Sequence, residues 1–204
     1  FSLSASAPVV TAGTFYQGGA VYLTNGNFTA NDLAESYIGG MYTIYNGQIN
    51  LNQDAAGFLD LNGNLYIHGG TMNVNGGQDN SYWPYFSTGS LTMDAGVLDF
   101  KSVGIVLNTG TFDENITGGL IRTVGMFQAI SGVTFFTPSG GAVELYGDIN
   151  TMLTMNTGCY FHDLYLAKTA PAQAFLNTNL MVKGELKVKS STFNTGTYLI
   201  NVGE

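Results

Sequence analysis

Ala20-Val-Tyr-Leu-Thr-Asn-Gly26 is answered by Met41-Tyr-Thr-Ile-Tyr-Asn-Gly47, a phrase of the same build. Thr71-Met-Asn-Val-Asn-Gly76 and Ala142-Val-Glu-Leu-Tyr-Gly147 repeat the form: small, apolar, any, apolar, any, then Gly. Within each phrase the apolar side chains alternate with period two, the spacing that places them on one face of a strand. Glycine doublets or Gly-Ser precede such strands at Gly18-Gly19, Gly39-Gly40, Gly69-Gly70, Gly89-Ser90, Gly118-Gly119 and Gly140-Gly141, with Gly110-Thr111 in the same role. The spacing is nearly constant from Gly18 to Gly39, from Gly69 through Gly89 to Gly110, and from Gly118 to Gly140. Gly39 to Gly69 is longer, which predicts an excursion there. A period near 21 with two or three short strands predicts an all-β parallel β-helix, a β-solenoid whose stacked coils bury a continuous apolar interior. Glycine suits its corners, where the chain takes positive φ. The competing architecture is a β-sandwich, which also has many short strands between turns.

The same alternation runs on through Leu91 and Met93, Leu98 and Phe100, Leu153 and Met155, Leu164 and Leu166, and Leu186 and Val188. Ala30 to Ile38 is the one stretch that suits a turn or two of helix, or a loop. One solenoid domain over 1–204 is expected, with 137–204 as a distinct terminal repeat unit.

Charge narrows the function. Only 10% of the 204 residues are charged, with 6 basic against 14 acidic and a net charge of −8. An ordinary soluble domain carries roughly 25%. No Lys or Arg precedes Lys101. Nucleic acid is therefore not expected as a partner, because phosphate binding needs clustered cations. The one cationic group, Lys183, Lys187 and Lys189, is interrupted by Glu185. A single cysteine, Cys159, excludes an internal disulfide framework and a multi-cysteine zinc site, and is expected to be a small buried apolar residue. No apolar run is long enough for a membrane helix. No basic-then-apolar leader opens the chain, which reads as a processed chain or a piece of a longer one.

From Thr137 the text changes. Thr137-Pro-Ser-Gly-Gly-Ala-Val-Glu-Leu-Tyr-Gly147 leads to Gly158-Cys-Tyr-Phe-His-Asp-Leu-Tyr-Leu-Ala-Lys-Thr169. Leu180-Met-Val-Lys-Gly-Glu-Leu-Lys-Val-Lys-Ser190 and Phe193-Asn-Thr-Gly-Thr-Tyr-Leu-Ile-Asn-Val-Gly203 follow. This last third resembles Gly/Asn/Thr-rich repeat segments of large secreted surface or adhesin-like proteins of Bacteroidetes-like bacteria. Asp163 stands where those segments commonly carry Asn. The resemblance implies an extracellular β-rich stalk and brings no catalytic residues.

Candidate chemistry is sparse. His68 and His162 have no His or Cys at ligand spacing, so both read as structural. Asp54, Asp60, Asp94 and Asp99 are scattered, and Asp113-Glu114 is the only adjacent acid pair. Glycoside cleavage needs two carboxylates across the bond. Gly76-Gly77-Gln78-Asp79-Asn80 faintly matches a calcium-binding nonapeptide but does not repeat, and reads as a turn. No catalytic residue, metal or cofactor is expected. Asp79-Asn-Ser-Tyr-Trp-Pro-Tyr-Phe-Ser-Thr88 interrupts the repeat with the only Trp. Its Tyr82, Trp83, Tyr85 and Phe86 are the candidate contact for a glycan or a protein. Leu3, Val9, Val10, Ile200 and Val202 belong to terminal strand text with no cap. They are the candidate contacts for head-to-tail self-assembly or for flanking domains.

The expected function is thus a non-catalytic structural segment of an extracellular or cell-surface stalk, adhesin-like layer or filament. The alternatives are a carbohydrate-binding module and, third, a polysaccharide-degrading β-helix enzyme.

Overall fold

In a computed structural model the described residues are 2–3, 9–11, 14–17, 19–38, 40–61, 63–75, 85–86, 90–101, 104–107, 113–130, 136–190 and 192–203. Of 2–3, 9–11, 14–17, 32–38, 53–61 and 85–86 only the backbone is described. Among these residues there is no helix, and every strand pairing is parallel. A sandwich would be built from antiparallel pairs, so the architecture is the β-solenoid.

Each coil has three sides, each a short strand. The first face stacks Ala20–Leu23, Met41–Ile44, Asn64–Ile67 and Ser90–Met93, then the start of Asp113–Thr123. Further on it carries Leu180–Val182 and Ile200–Val202. The second face stacks the start of Asn27–Ile38 on the start of Gln48–Leu61, followed by Thr71–Asn75 and Val97–Phe100. The end of Asp113–Thr123, Gly140–Gly147, Asp163–Lys168 and Leu186–Val188 continue it. The third face includes Tyr85–Phe86, Ile105–Leu107, Phe127–Ala129, Thr151–Met155, Gln173–Leu176 and Thr192–Asn194.

Coil length varies. Thr29 and Asn50, stacked neighbours, are 21 apart in sequence, Asn50 and Asn73 are 23 apart, and Asn64 and Ser90 are 26 apart. The glycine doublets are not one series. Gly19 and Gly40 stand before the first face, whereas Gly70, Gly119 and Gly141 stand between the first and second. The excursion expected between Gly39 and Gly69 is a change of corner, for Met41 pairs directly with Asn64 in the next coil. The repeated phrases divide likewise. Those at 20 and 41 form the first face and those at 71 and 142 the second.

At the corner between these faces Gly26, Gly47, Gly70, Gly96, Gly119 and Gly141 stack in one column, all with positive φ. Crowding adds to the backbone demand. A Cβ on Gly47, at φ +92°, would lie 2.1 Å from the Gly26 carbonyl oxygen. Ala30 to Ile38 is strand, within Asn27–Ile38. Tertiary pairing decides there: Ala30 is fully buried opposite Leu51 in the rung above, which overrides a weak local helical spacing.

Inward residues form columns. Leu23, Ile44, Ile67, Met93 and Ile116 line up on the first face; Ile49, Met72, Leu98, Ile121, Val143 and Leu164 on the second. All are buried, and each such side chain contributes about 1.5–3 kcal/mol. Phe127, Phe136 and Phe161 meet in the interior with ring centroids 5.0 to 5.9 Å apart.

Candidate functional site

The densest chemistry lies on the outward side of the second face. There Thr29, Asn50, Asn73, Asp99, Arg122, Glu144, Tyr165 and Lys187 follow one another up the coils. The lower part is an amide ladder. Asn50 Nδ2 donates to Thr29 Oγ1 at 3.2 Å, and Asn73 Nδ2 to Asn50 Oδ1 at 2.9 Å. A second ladder beside it joins Asn31, Asn52 and Asn75, with Asn75 Nδ2 donating to Asn52 Oδ1 at 2.6 Å.

Above it the column becomes ionic. Arg122 donates from Nε to Glu144 Oε2 at 2.7 Å and from Nη1 to Asp99 Oδ2 at 3.1 Å. Tyr146 donates its hydroxyl to Asp99 Oδ1 at 2.7 Å, and its ring lies 4.1 Å from the Arg122 guanidinium. Lys189 Nζ reaches Glu144 Oε1 at 2.9 Å from two coils away. Asp99 is only 3% exposed. Burial pushes the Glu144 carboxyl up, but the hydrogen bonds and charges of Lys189 and Arg122 outweigh it and hold the group below the ordinary carboxylate range. Burial, then the bond to Asp99, pushes the Tyr146 phenol up.

This is the one place among the described residues where two carboxylates converge through a shared cation. Glycoside cleavage asks one carboxyl to hold a proton and the other to face water or substrate. Glu144 is held ionised, and both oxygens of Glu144 and of Asp99 accept hydrogen bonds within the network. The chemistry favoured is charge compensation across coils, which fixes their register. Asp94 lies apart, at a corner, while the side chains of Asp54 and Asp60 fall outside the described residues.

Both histidines meet an aspartate. His68 Nδ1 is 2.9 Å from Asp94 Oδ2, one coil up, and its ring stacks on Tyr45 with centroids 5.3 Å apart. His162 Nδ1 lies 3.2 Å from Asp163 Oδ1 but makes no hydrogen bond; that oxygen accepts the Glu185 N–H. Among the described residues no group of three His, Cys, Asp or Glu side chains could hold a metal ion. Cys159 is buried, and burial raises its thiol pKa.

Lys168 is the residue least expected from its type. It continues the inward parity of Leu164 and Leu166 and is fully buried. Its Nζ donates to the Val124 and Tyr146 carbonyls at 2.7 and 2.6 Å, tying the corners of the two preceding coils. Burial pushes its pKa down to about 8, against a small opposing effect of Asp148.

Of the aromatic contact candidates, Tyr82 and Trp83 lie outside the described residues, as do Gly76 to Asn80. Tyr85 and Phe86 form a rung of the third face, with Tyr85 paired to Asp60 and Val106. Leu3, Val9 and Val10 stand in rungs opposite Leu23, Thr29 and Ala30. Ile200 and Val202 pair with Leu180 and Val182 in the last rung described. The ionic column escapes a reading made at a fixed period of 21. Its signal is alternating charge at the true coil steps: Asp99, Arg122 after 23 residues and Glu144 after 22.

No protein-family model, curated protein or solved structure matches this chain.

Proposed function

We propose that the chain is a non-catalytic structural segment of an extracellular bacterial surface, stalk or fibre protein, which works by stacking coil on coil beyond its own length. The observation that carries this reading is the state of the interior at residues 180–203. Leu166 and Val182 are fully buried, yet one coil on, in the same columns, Val188 is 47% and Val202 48% exposed. A further coil would bury both, whether it came from a second copy or from continuing polypeptide. Parallel rungs make this possible, since the end of one solenoid offers the strand direction that the start of another accepts. The low charge and the absence of any tryptic site before Lys101 suit a protease-exposed setting, and the likeness of 137–204 to secreted repeat segments points the same way.

Sedimentation of the purified chain at micromolar concentration tests the reading. Self-association is expected, and Val188→Lys with Val202→Lys should abolish it while circular dichroism stays that of a β-protein. A monomer at every concentration, with strands Leu186–Val188 and Ile200–Val202 protected from hydrogen exchange, would refute it.

A further inference from the structure

The corner between the third and first faces is built differently from the glycine column. Three successive coils cross it at Asn156-Thr157-Gly158, Asn177-Thr178-Asn179 and Asn194-Thr195-Gly196. Met152, Phe175 and Asn194 are in register on one side, and Phe161, Val182 and Val202 on the other. Measured between these aligned positions, the middle crossing, Phe175 to Val182, is shorter than Met152 to Phe161 below it and Asn194 to Val202 above it.

The longer crossings bulge as turns. Gly158 takes φ +90° and Cys159 N–H donates to the Asn156 carbonyl at 3.1 Å. Gly196 takes φ +58°, its N–H donates to Asn194 Oδ1 at 3.1 Å, and Tyr198 N–H donates to the Thr195 carbonyl at 3.0 Å. The short middle crossing runs between them, and the residues of all three crossings share one recess. The result is a notch of about 500 Å³ with Cys159 and Leu180 among its apolar lining. That size falls in the range of small-ligand sites, about 300–1,000 Å³.

Its polar lining divides in two. Thr178 Oγ1 accepts the Met155 N–H and Asn179 Oδ1 accepts the Leu199 N–H, so these hold the corner together. The side chains of Thr157, Tyr198 and Asn201 make no hydrogen bond to another described residue. A phenol ring, a hydroxyl and a carboxamide thus line a recess shared with apolar side chains, and no lining residue is charged. Aromatic faces take the C–H face of a sugar ring, while hydroxyl and amide groups take its hydroxyls. The missing charge leaves nothing to recognise a carboxylate or phosphate.

We infer that this notch is a binding site for a neutral saccharide, with Tyr198 as the platform and Thr157 and Asn201 as its polar partners. The site lies at a corner of the rod, with Thr157 two coils in and Tyr198 and Asn201 on the last described coil.

The test is methyl NMR of methionine-labelled chain titrated with cellobiose, lactose and maltose. Met155 and Met181 line the notch, whereas Met72 and Met93 are buried far along the solenoid and serve as internal controls. At least one sugar should shift the Met155 and Met181 signals saturably in the millimolar range, about the strength of a small exposed site. Tyr198→Ala should weaken that response roughly tenfold, about 1.4 kcal/mol. Galacturonic acid should bind no better than the neutral sugars. No saturable shift with any of the three, or an unchanged affinity in Tyr198→Ala, would overturn the assignment.

Discussion

Two stretches of the second face share a backbone and differ in what they turn outward. From Asn27 to Asn75 the rungs carry stacked amides; from Val97 to Lys189 they carry an ion network. A carboxamide is donor and acceptor at once, so each Asn satisfies the next and the ladder can be extended by repeating one residue type. An ion column must alternate. Asp99, Arg122 and Glu144 fix which coil lies on which, because a slip by one coil would set like charges face to face. Amides give a ladder indifferent to pH and salt. Charges give a register that depends on both.

The largest effect should come from breaking the ionic stretch at its centre. Arg122→Leu leaves Asp99 buried with no cation and Glu144 with Lys189 alone, and should cost about 3 kcal/mol in urea unfolding. Asp99→Asn in the same background should recover part of it. Acid should act on the same stretch. Glu144 is held below its unfolded value, so its contribution is present above the ordinary carboxylate pKa and is lost as pH falls through the depressed one. The exchange protection factors of Gly140–Gly147, taken relative to the intrinsic rate at each pH, should then fall while those of Gln48–Asn52 hold. An equal fall in both would erase the distinction.

Lys168 also favours folding as pH rises, but in the alkaline range and because burial penalises its charged form. Its folded pKa is near 8 and its unfolded value 10.5, so between these the unfolded chain binds more protons and stability rises with pH. The neutral amine keeps two N–H donors for its two carbonyl acceptors. Stability should therefore increase from pH 8 to about 10, where ionisation of tyrosines such as Tyr42, whose phenol is pushed up by burial, begins to favour the unfolded chain. Lys168→Met should abolish the rise, removing the Nζ donor from the Tyr146 carbonyl and leaving the Val124 carbonyl with Thr151 Oγ1 alone. A rise that survives the substitution would assign it to another group.

The smallest effect belongs to the amides. Asn50→Ala removes one bond given and two received and should cost about 1 kcal/mol, the same at pH 4 and pH 8. A cost that changed with pH or salt would show the lower stretch coupled to the ions above it.

The solenoid was legible because Ala20 to Gly26 and Met41 to Gly47 lie directly in register, one coil apart with no insertion. The corners were not, because the doublets Gly39-Gly40 and Gly69-Gly70 look alike in sequence, although Gly70 takes positive φ in the crowded column and Gly40 does not. A fixed period also hid the ion column. The step from one rung to the next drifts from 19, between Gln173 and Thr192, to 26, between Asn64 and Ser90, while rung pairing stays intact. Lys168 could be placed inside by parity with Leu164 and Leu166, but a lysine in a period-two pattern ordinarily faces water. The notch was invisible for another reason. It arises from a crossing that is too short relative to its neighbours, a quantity defined only once the rungs on both sides are aligned.

The break between the two outward columns has a mechanical meaning. Hydrogen bonds between parallel rungs of successive coils point along the axis of the rod, so tension between its ends pulls each bond lengthwise, with the three sides of a coil sharing the load. Side-chain bonds add strength in parallel, but no described side-chain hydrogen bond joins Asn73 to Asp99 or Asn75 to Lys101. At that level the first face contributes Ser90 Oγ donating to Asn64 Oδ1, and the adjoining corner His68 with Asp94, both exposed. The coil there is also among the longest, with Ser90 stacked on Asn64 across a step of 26. Under stretch the rod should part first at this level, as a two-step extension whose first rupture force falls when His68 is replaced by Ala.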